Sequence, residues 1–270
     1  MIPLRLKFLA EAITPPIIFR YLRRSPPKAP IAASSAQRAM FEGDYSSFEE
    51  AAKLCKGYDD AAVASAAAKR LIELKTAVPP REIDGRFQQV HSALCVVSDK
   101  RQSRAISVLD VGGGNGSYYF RLKELFPAGA LKWHVVETAN MVAACRQIAA
   151  PEITYSSEVP TERFDVVLIS GTLQYLPRPY QSLNELSRAG DWLILTRLPV
   201  HDGANDRIMI QNVPSHIHEG SMPVQMFSVV KMQRAIDAVG DIELSWSVDL
   251  DDGSLAEASA RAVGFLVRTR

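Results

Sequence analysis

The spacing of apolar residues predicts a chain in which strands alternate with helices. Ile106–Val111, Leu131–Glu137, Ile153–Tyr155, Phe164–Ser170 and Trp192–Arg197 are short runs rich in Val, Ile, Leu and aromatic residues, each read as a strand. Phe164–Ser170 is almost continuously apolar, as expected of a strand covered on both faces in a parallel sheet. Between these runs, Asn140–Ala150, Ser182–Arg188 and Ser228–Val239, the last closed by Gly240, read as helices. Ile242–Asp249 and Ala262–Arg268 alternate apolar with polar positions and predict a closing antiparallel hairpin. The class is therefore α/β.

Upstream of the first strand the pattern turns helical. Ser47 followed by Glu50 fits a capping box, Gly57 a helix stop, and Asp59–Ala77 an alanine-rich helix ended by Pro79-Pro80. Arg81 to Val97 forms a further helical stretch, so 36–104 reads as a helical cap and 105–270 as the main domain. Residues 1–30 mix Leu, Ile and Phe with six Arg and Lys side chains and only Glu11 as an acid, broken at Pro15-Pro16. No apolar run there approaches the ~20 residues that a spanning helix needs, and no cleavage site follows a signal-like core. The segment can lie on an anionic membrane surface; the alternative is a tail that packs on the domain or stays disordered. Ser25–Ser35 is the linker that completes a 1–35 extension.

Composition narrows the partners. With 47% hydrophobic and 23% charged residues and a net charge of +1, the 270-residue chain is an ordinary globular protein with no basic stripe for nucleic acid. Cys55, Cys95 and Cys145 are odd in number and widely spaced. They point to reduced thiols in a cytoplasmic protein and to no metal site. Oligomeric state is not legible.

The chemistry gathers around Asp110-Val111-Gly112-Gly113-Gly114-Asn115-Gly116. Glycines there let the chain take positive φ and strip side chains from a loop on which a flat polar ligand can lie. The spacing is neither Gly-x-Gly-x-x-Gly nor a phosphate loop with Gly-Lys-Ser/Thr. Glu137 ends the next strand, 27 positions after Asp110, where an acid in a doubly wound sheet meets ribose hydroxyls.

Asp-x-Gly-x-Gly-x-Gly resembles the first motif of class I S-adenosyl-L-methionine (SAM) methyltransferases. Further words, Phe41 to Ala51, Lys56 to Asp59, Leu173 to Leu176 and Asp206 to Pro214, are similar to a family of bacterial methyltransferases associated with cell-surface polysaccharide biosynthesis. The resemblance implies a Rossmann-like, mostly parallel seven-stranded sheet with an antiparallel C-terminal hairpin. It also implies SAM as cofactor, held by Asp110, Gly112, Gly114, Asn115, Gly116, Glu137, Ser170 and Gln174. The acceptor it implies is a small molecule or a glycan or lipid-linked precursor. An acid often follows the third strand of such enzymes to hold adenine; Ser156-Ser157-Glu158 stands here instead, so a serine hydroxyl would have to serve.

Leu198 to Phe227 is polar and weakly patterned, and reads as an acceptor lid. A hydroxyl acceptor needs a general base, because its proton leaves as the new bond forms. His216 or His218 suits that role, with Asp202 or Asp206 as orienting group or alternative base. Arg207 would clamp an anionic acceptor or form an internal salt bridge. Gln174 and Tyr175 can reach donor or acceptor. Two other readings stay open: a methyltransferase-like binding or scaffold protein without turnover, and a nucleotide-dependent oxidoreductase, which the glycine spacing disfavours.

Overall fold

The computed structural model describes residues 40–57, 61–76, 85–103, 105–146, 151–213, 220–248 and 254–270. The 1–35 extension, with its candidate membrane surface and linker, lies outside the described residues, as do His216 and His218.

The main sheet is built from β2 (Ile106–Val111), β3 (Leu131–Val136), β4 (Ile153–Ser156), β5 (Phe164–Ser170), β6 (Gly190–His201), β9 (Gly240–Val248) and β10 (Arg261–Thr269). Across the sheet the order is β4-β3-β2-β5-β6-β10-β9. The first five strands are parallel, and β10 runs antiparallel between β6 and β9. This is the Rossmann-like methyltransferase arrangement, closing hairpin included. Side chains of β5 alternate between two cores. Val166 and Leu168 join Val108, Trp133 and Ile194 on one face, and Val167 and Ile169 join Leu109, Leu193 and Leu195 on the other. Burial on both faces explains why these strands read as unbroken apolar runs.

Helices α1 (Phe48–Lys53), α2 (Ala61–Thr76) and α3 (Gly85–Arg101) precede β2. The capping signal at α1 is realised: Glu50 N–H donates to Ser47 Oγ (3.1 Å), while Glu50 Oε2 accepts from Ser46 N–H (2.9 Å). Gly57 does not stop that helix, which ends at Lys53; with φ of +82° it makes an isolated bridge to Ser221. On the other side of β2, α4 (Ser117–Leu122) follows the glycine loop and α5 (Ala139–Arg146) follows β3. The connections α6 (Pro179–Ser187), α7 (Val229–Val239) and α8 (Ser254–Glu257) complete the helices.

Two further expectations need correction. Residues 36–104 are not purely helical, because Phe41–Tyr45 is a strand, β1. Leu198 to Phe227 is not an irregular lid: β6 runs on to His201, and β7 (Arg207–Val213) and β8 (Gly220–Ser228) form an antiparallel pair. β1 adds to β7 antiparallel, and β8 pairs with the end of β6 at Val200↔Phe227 and His201↔Ser228. A second small sheet, β1-β7-β8, thus hangs from the carboxyl end of the first over its own core of Met209, Val224, Met226, Val248 and Leu255.

Candidate active site

Parallel strands that share a direction bring their carboxyl ends to one edge, where an open α/β sheet binds ligands. The loop after β2 is shaped by close approaches. Gly112 has φ of +69°, and a Cβ there would lie 2.3 Å from Thr172 Oγ1, so the loop rests against the segment that follows β5. A Cβ on Gly116, with φ of +76°, would lie 2.5 Å from Ile153 Cδ1. Gly114, with φ of +58°, differs: a Cβ on it would meet nothing within 4 Å, so its outer side is open.

Glu137 closes this loop from the neighbouring strand. Its Oε1 accepts from Gly114 N–H (3.1 Å) and its Oε2 from Thr138 N–H (2.8 Å). The acid and the open glycine, both named by sequence, are thereby brought together. Asn115 anchors the loop sideways, donating through Nδ2 to Ala67 O (2.9 Å), while its own carbonyl accepts from Tyr155 Oη (3.0 Å).

Asp110 lies beneath the loop, fully buried, with its Oδ2 accepting from Trp133 Nε1 (2.9 Å) and its Oδ1 without a partner among the described residues. A Cβ on Gly113 would strike this carboxyl at 2.4 Å, so Asp110 supports the loop from below. Burial pushes its pKa from the ordinary 3.8 up to about 7, against the Trp133 hydrogen bond and with help from the Glu137 charge. A raised pKa means that the fold prefers the neutral acid. Its contribution is fully present below about pH 4 and is lost as pH rises through about 7, by at most about 4 kcal/mol. Asp110→Asn should flatten that decline, which urea midpoints at about pH 4.5 and about pH 8 would reveal.

At the end of β5, Ser170 Oγ shares a hydrogen bond with Tyr118 Oη (2.8 Å). Burial raises the Tyr118 pKa, while Ser170 and the Arg197 charge act in the opposite sense. Gln174 is buried; its Nε2 donates to Arg197 O at a long 3.4 Å and its Oε1 has no partner among the described residues. Tyr175 Oη donates to Gln211 Oε1 (2.5 Å), and Gln225 Nε2 to Leu176 O (2.7 Å), joining the post-β5 segment to the second sheet.

The other sequence candidates are engaged elsewhere. Asp206 accepts from Ser228 N–H (2.7 Å) and from Tyr180 Oη (3.0 Å), holding the start of α7. Arg207 donates through Nη2 to Asp44 (3.1 Å) and through Nη1 to Ala258 O (2.9 Å), which is the internal salt bridge of its two readings. Asp202 pairs with Arg261 at the surface (2.9 Å). Of the two serines expected near adenine, Ser156 and Ser157, Ser156 donates to Glu158 O and shares a hydrogen bond with His134 Nε2 (2.7 Å). Sequence reasoning missed Tyr118, Thr172 and Arg197. A single charged residue inside the apolar run Leu193–Leu198 was the signal for Arg197.

Residues 109–190 match the model of the methyltransferase domain family. No curated protein matches the chain. Among solved structures, the N-terminal domain of EvdMO1, crystallised with S-adenosylhomocysteine (SAH) and D-fucose, aligns at 14% identity with a TM-score of 0.51, covering 75% of this chain and 95% of that one. The [4+2]-cyclase SpnF aligns at 12% identity with a TM-score of 0.50, covering 77% and 93%. These likenesses establish the fold, and a fold hosts more than one chemistry. The cofactor that the domain match and the loop geometry fit is SAM, with Gly112, Gly114, Gly116 and Glu137 as the residues that would hold it.

Proposed function

We propose that this protein transfers the methyl group of SAM to a hydroxyl oxygen of a sugar or of a glycan or lipid-linked precursor. The observation that carries the transferase reading is the hydrogen bond from Gly114 N–H to Glu137, beside a glycine whose Cβ side is open, at the carboxyl edge of a sheet in a chain whose residues 109–190 match a methyltransferase domain. The sugar acceptor rests on the family words at Phe41–Ala51, Lys56–Asp59, Leu173–Leu176 and Asp206–Pro214, with D-fucose in the EvdMO1 crystals as a parallel.

When bound, SAM supplies an electrophilic methyl on a sulfonium, so the leaving group needs no protonation. The chain's task is to hold donor and acceptor in line and to take one proton from the acceptor. In this reading the glycine loop and Glu137 hold the donor, and Ser170 and Gln174, at the end of β5 and just after it, reach the donor or the acceptor. His216 or His218, between β7 and β8, is the candidate base. Basic residues 1–30 suit contact with an anionic membrane surface that carries such a precursor, although among the described residues no helix is long and apolar enough to cross a membrane.

Calorimetry of the full chain with SAM, SAH and NAD tests the cofactor reading. Micromolar-range binding of the first two and none of the third is expected; binding of NAD alone would overturn it. Ser156, with its hydroxyl already engaged, keeps a binding protein without turnover as the second reading. It is favoured if SAM binds yet no acceptor, sugar or other small molecule, yields SAH.

A further inference from the structure

β6 carries an irregularity in its second half, beside the end of β5. In its ladder with β10, Leu195 pairs with Phe265 and Leu198 with Val263, so Thr196 and Arg197 together stand opposite Gly264. This is a β-bulge, a device that re-aims a side chain and is common beside active sites. Arg197 sits in it with φ of +59°, a left-handed conformation that costs a non-glycine residue about 1–2 kcal/mol.

The bulge brings the guanidinium against the end of β5. A Cβ on Gly171, itself at φ of +65°, would lie 3.1 Å from Arg197 Nη1 and 3.2 Å from Cζ, so the guanidinium packs tightly against this glycine. There the Arg197 guanidinium donates no hydrogen bond and forms no ion pair among the described residues, and its Nε is buried without a partner. Arginines elsewhere on the surface behave differently: Arg101, Arg163, Arg207, Arg261 and Arg270 each face a carboxylate. A half-buried guanidinium held by strained backbone and left without a counter-ion is arranged for an anion from outside the chain.

From this geometry we infer that Arg197 binds an anionic group of the methyl acceptor, a carboxylate or a phosphate. β6 lies two strands from β2 on the side away from β3 and Glu137, roughly 10 Å from the glycine loop's strand. Arg197 and Glu137 therefore flank the glycine loop's strand from opposite sides, and in the methyl-transfer reading the side away from Glu137 is left for the acceptor. Gln174, whose Nε2 donates to the Arg197 carbonyl and whose Oε1 is buried without a partner among the described residues, is placed to take a hydroxyl of the same molecule. The assignment of this anion to the acceptor rests on the methyl-transfer reading; the anion site itself does not.

The test uses the full chain, with inorganic phosphate and acetate as probes, titrated by calorimetry with and without SAH. Wild type should bind phosphate, Arg197→Gln should weaken that binding by about tenfold or more, and Arg197→Lys should fall between. SAH affinity should change less than about twofold in both variants. Phosphate binding that is absent in wild type or unchanged in Arg197→Gln overturns the inference. A loss of SAH affinity in Arg197→Gln, with acetate competing against SAH, also overturns it, because Arg197 would then hold the cofactor's own carboxylate. Phosphate binding through Arg197 without any SAH binding upholds the anion site and sinks only the methyl-transfer reading.

Discussion

Replacing Glu137 by Gln should weaken SAH binding by roughly 10- to 150-fold, which corresponds to about 1.5–3 kcal/mol for hydrogen bonds to a charged group. Two losses combine. The carboxylate would no longer grip ribose hydroxyls as a charged acceptor. An amide also offers only one acceptor oxygen, so either Gly114 N–H or Thr138 N–H loses its present partner and the loop loosens. Calorimetry with SAH measures the effect, while a urea midpoint separates loosened structure from lost ligand contact. Unchanged affinity would place the ribose elsewhere.

Gly112→Ala should have a larger effect on the fold itself. The new methyl carbon would fall 2.3 Å from Thr172 Oγ1 and 2.5 Å from its Cγ2, at a φ of +69° that alanine adopts only under strain. Strain of about 1–2 kcal/mol and overpacking of about 1–3 kcal/mol together predict a loss of roughly 2–5 kcal/mol. The double variant Gly112→Ala/Thr172→Ala removes the collision and leaves the strain, so it should recover about half of the loss. A double variant no more stable than Gly112→Ala would show that the contact with Thr172 is not what holds the loop against β5.

The main sheet was legible because its strands carry a local signature. Phe164–Ser170 begins and ends where the pattern predicted, since burial on both faces demands an unbroken apolar run. The second sheet was not, for a physical reason. Gln211 and Gln225 look like surface residues in sequence, yet Gln211 accepts from Tyr175 and Gln225 donates to Leu176 O, partners 36 and 49 positions away. Pairing of β7 with β1 spans still more of the chain. No local period encodes such contacts. The same holds for Arg207, whose Asp44 partner stands 163 positions earlier; a polar cluster in one line of sequence was dispersed by the fold into separate ion pairs. Glycine loop and Glu137 were readable because spacing alone sets which strand ends meet. Arg197 was hidden because a bulge is a property of two strands at once.

Two adjacent residue pairs, Val200↔Phe227 and His201↔Ser228, make up the whole ladder between β6 and β8. A strand that serves both sheets through so short a seam lets the two halves diverge at different tempos. Substitutions in β1, β7 and β8 can therefore accumulate without disturbing the packing around the glycine loop and Glu137. Related chains should hold the main sheet nearly constant and vary in the second.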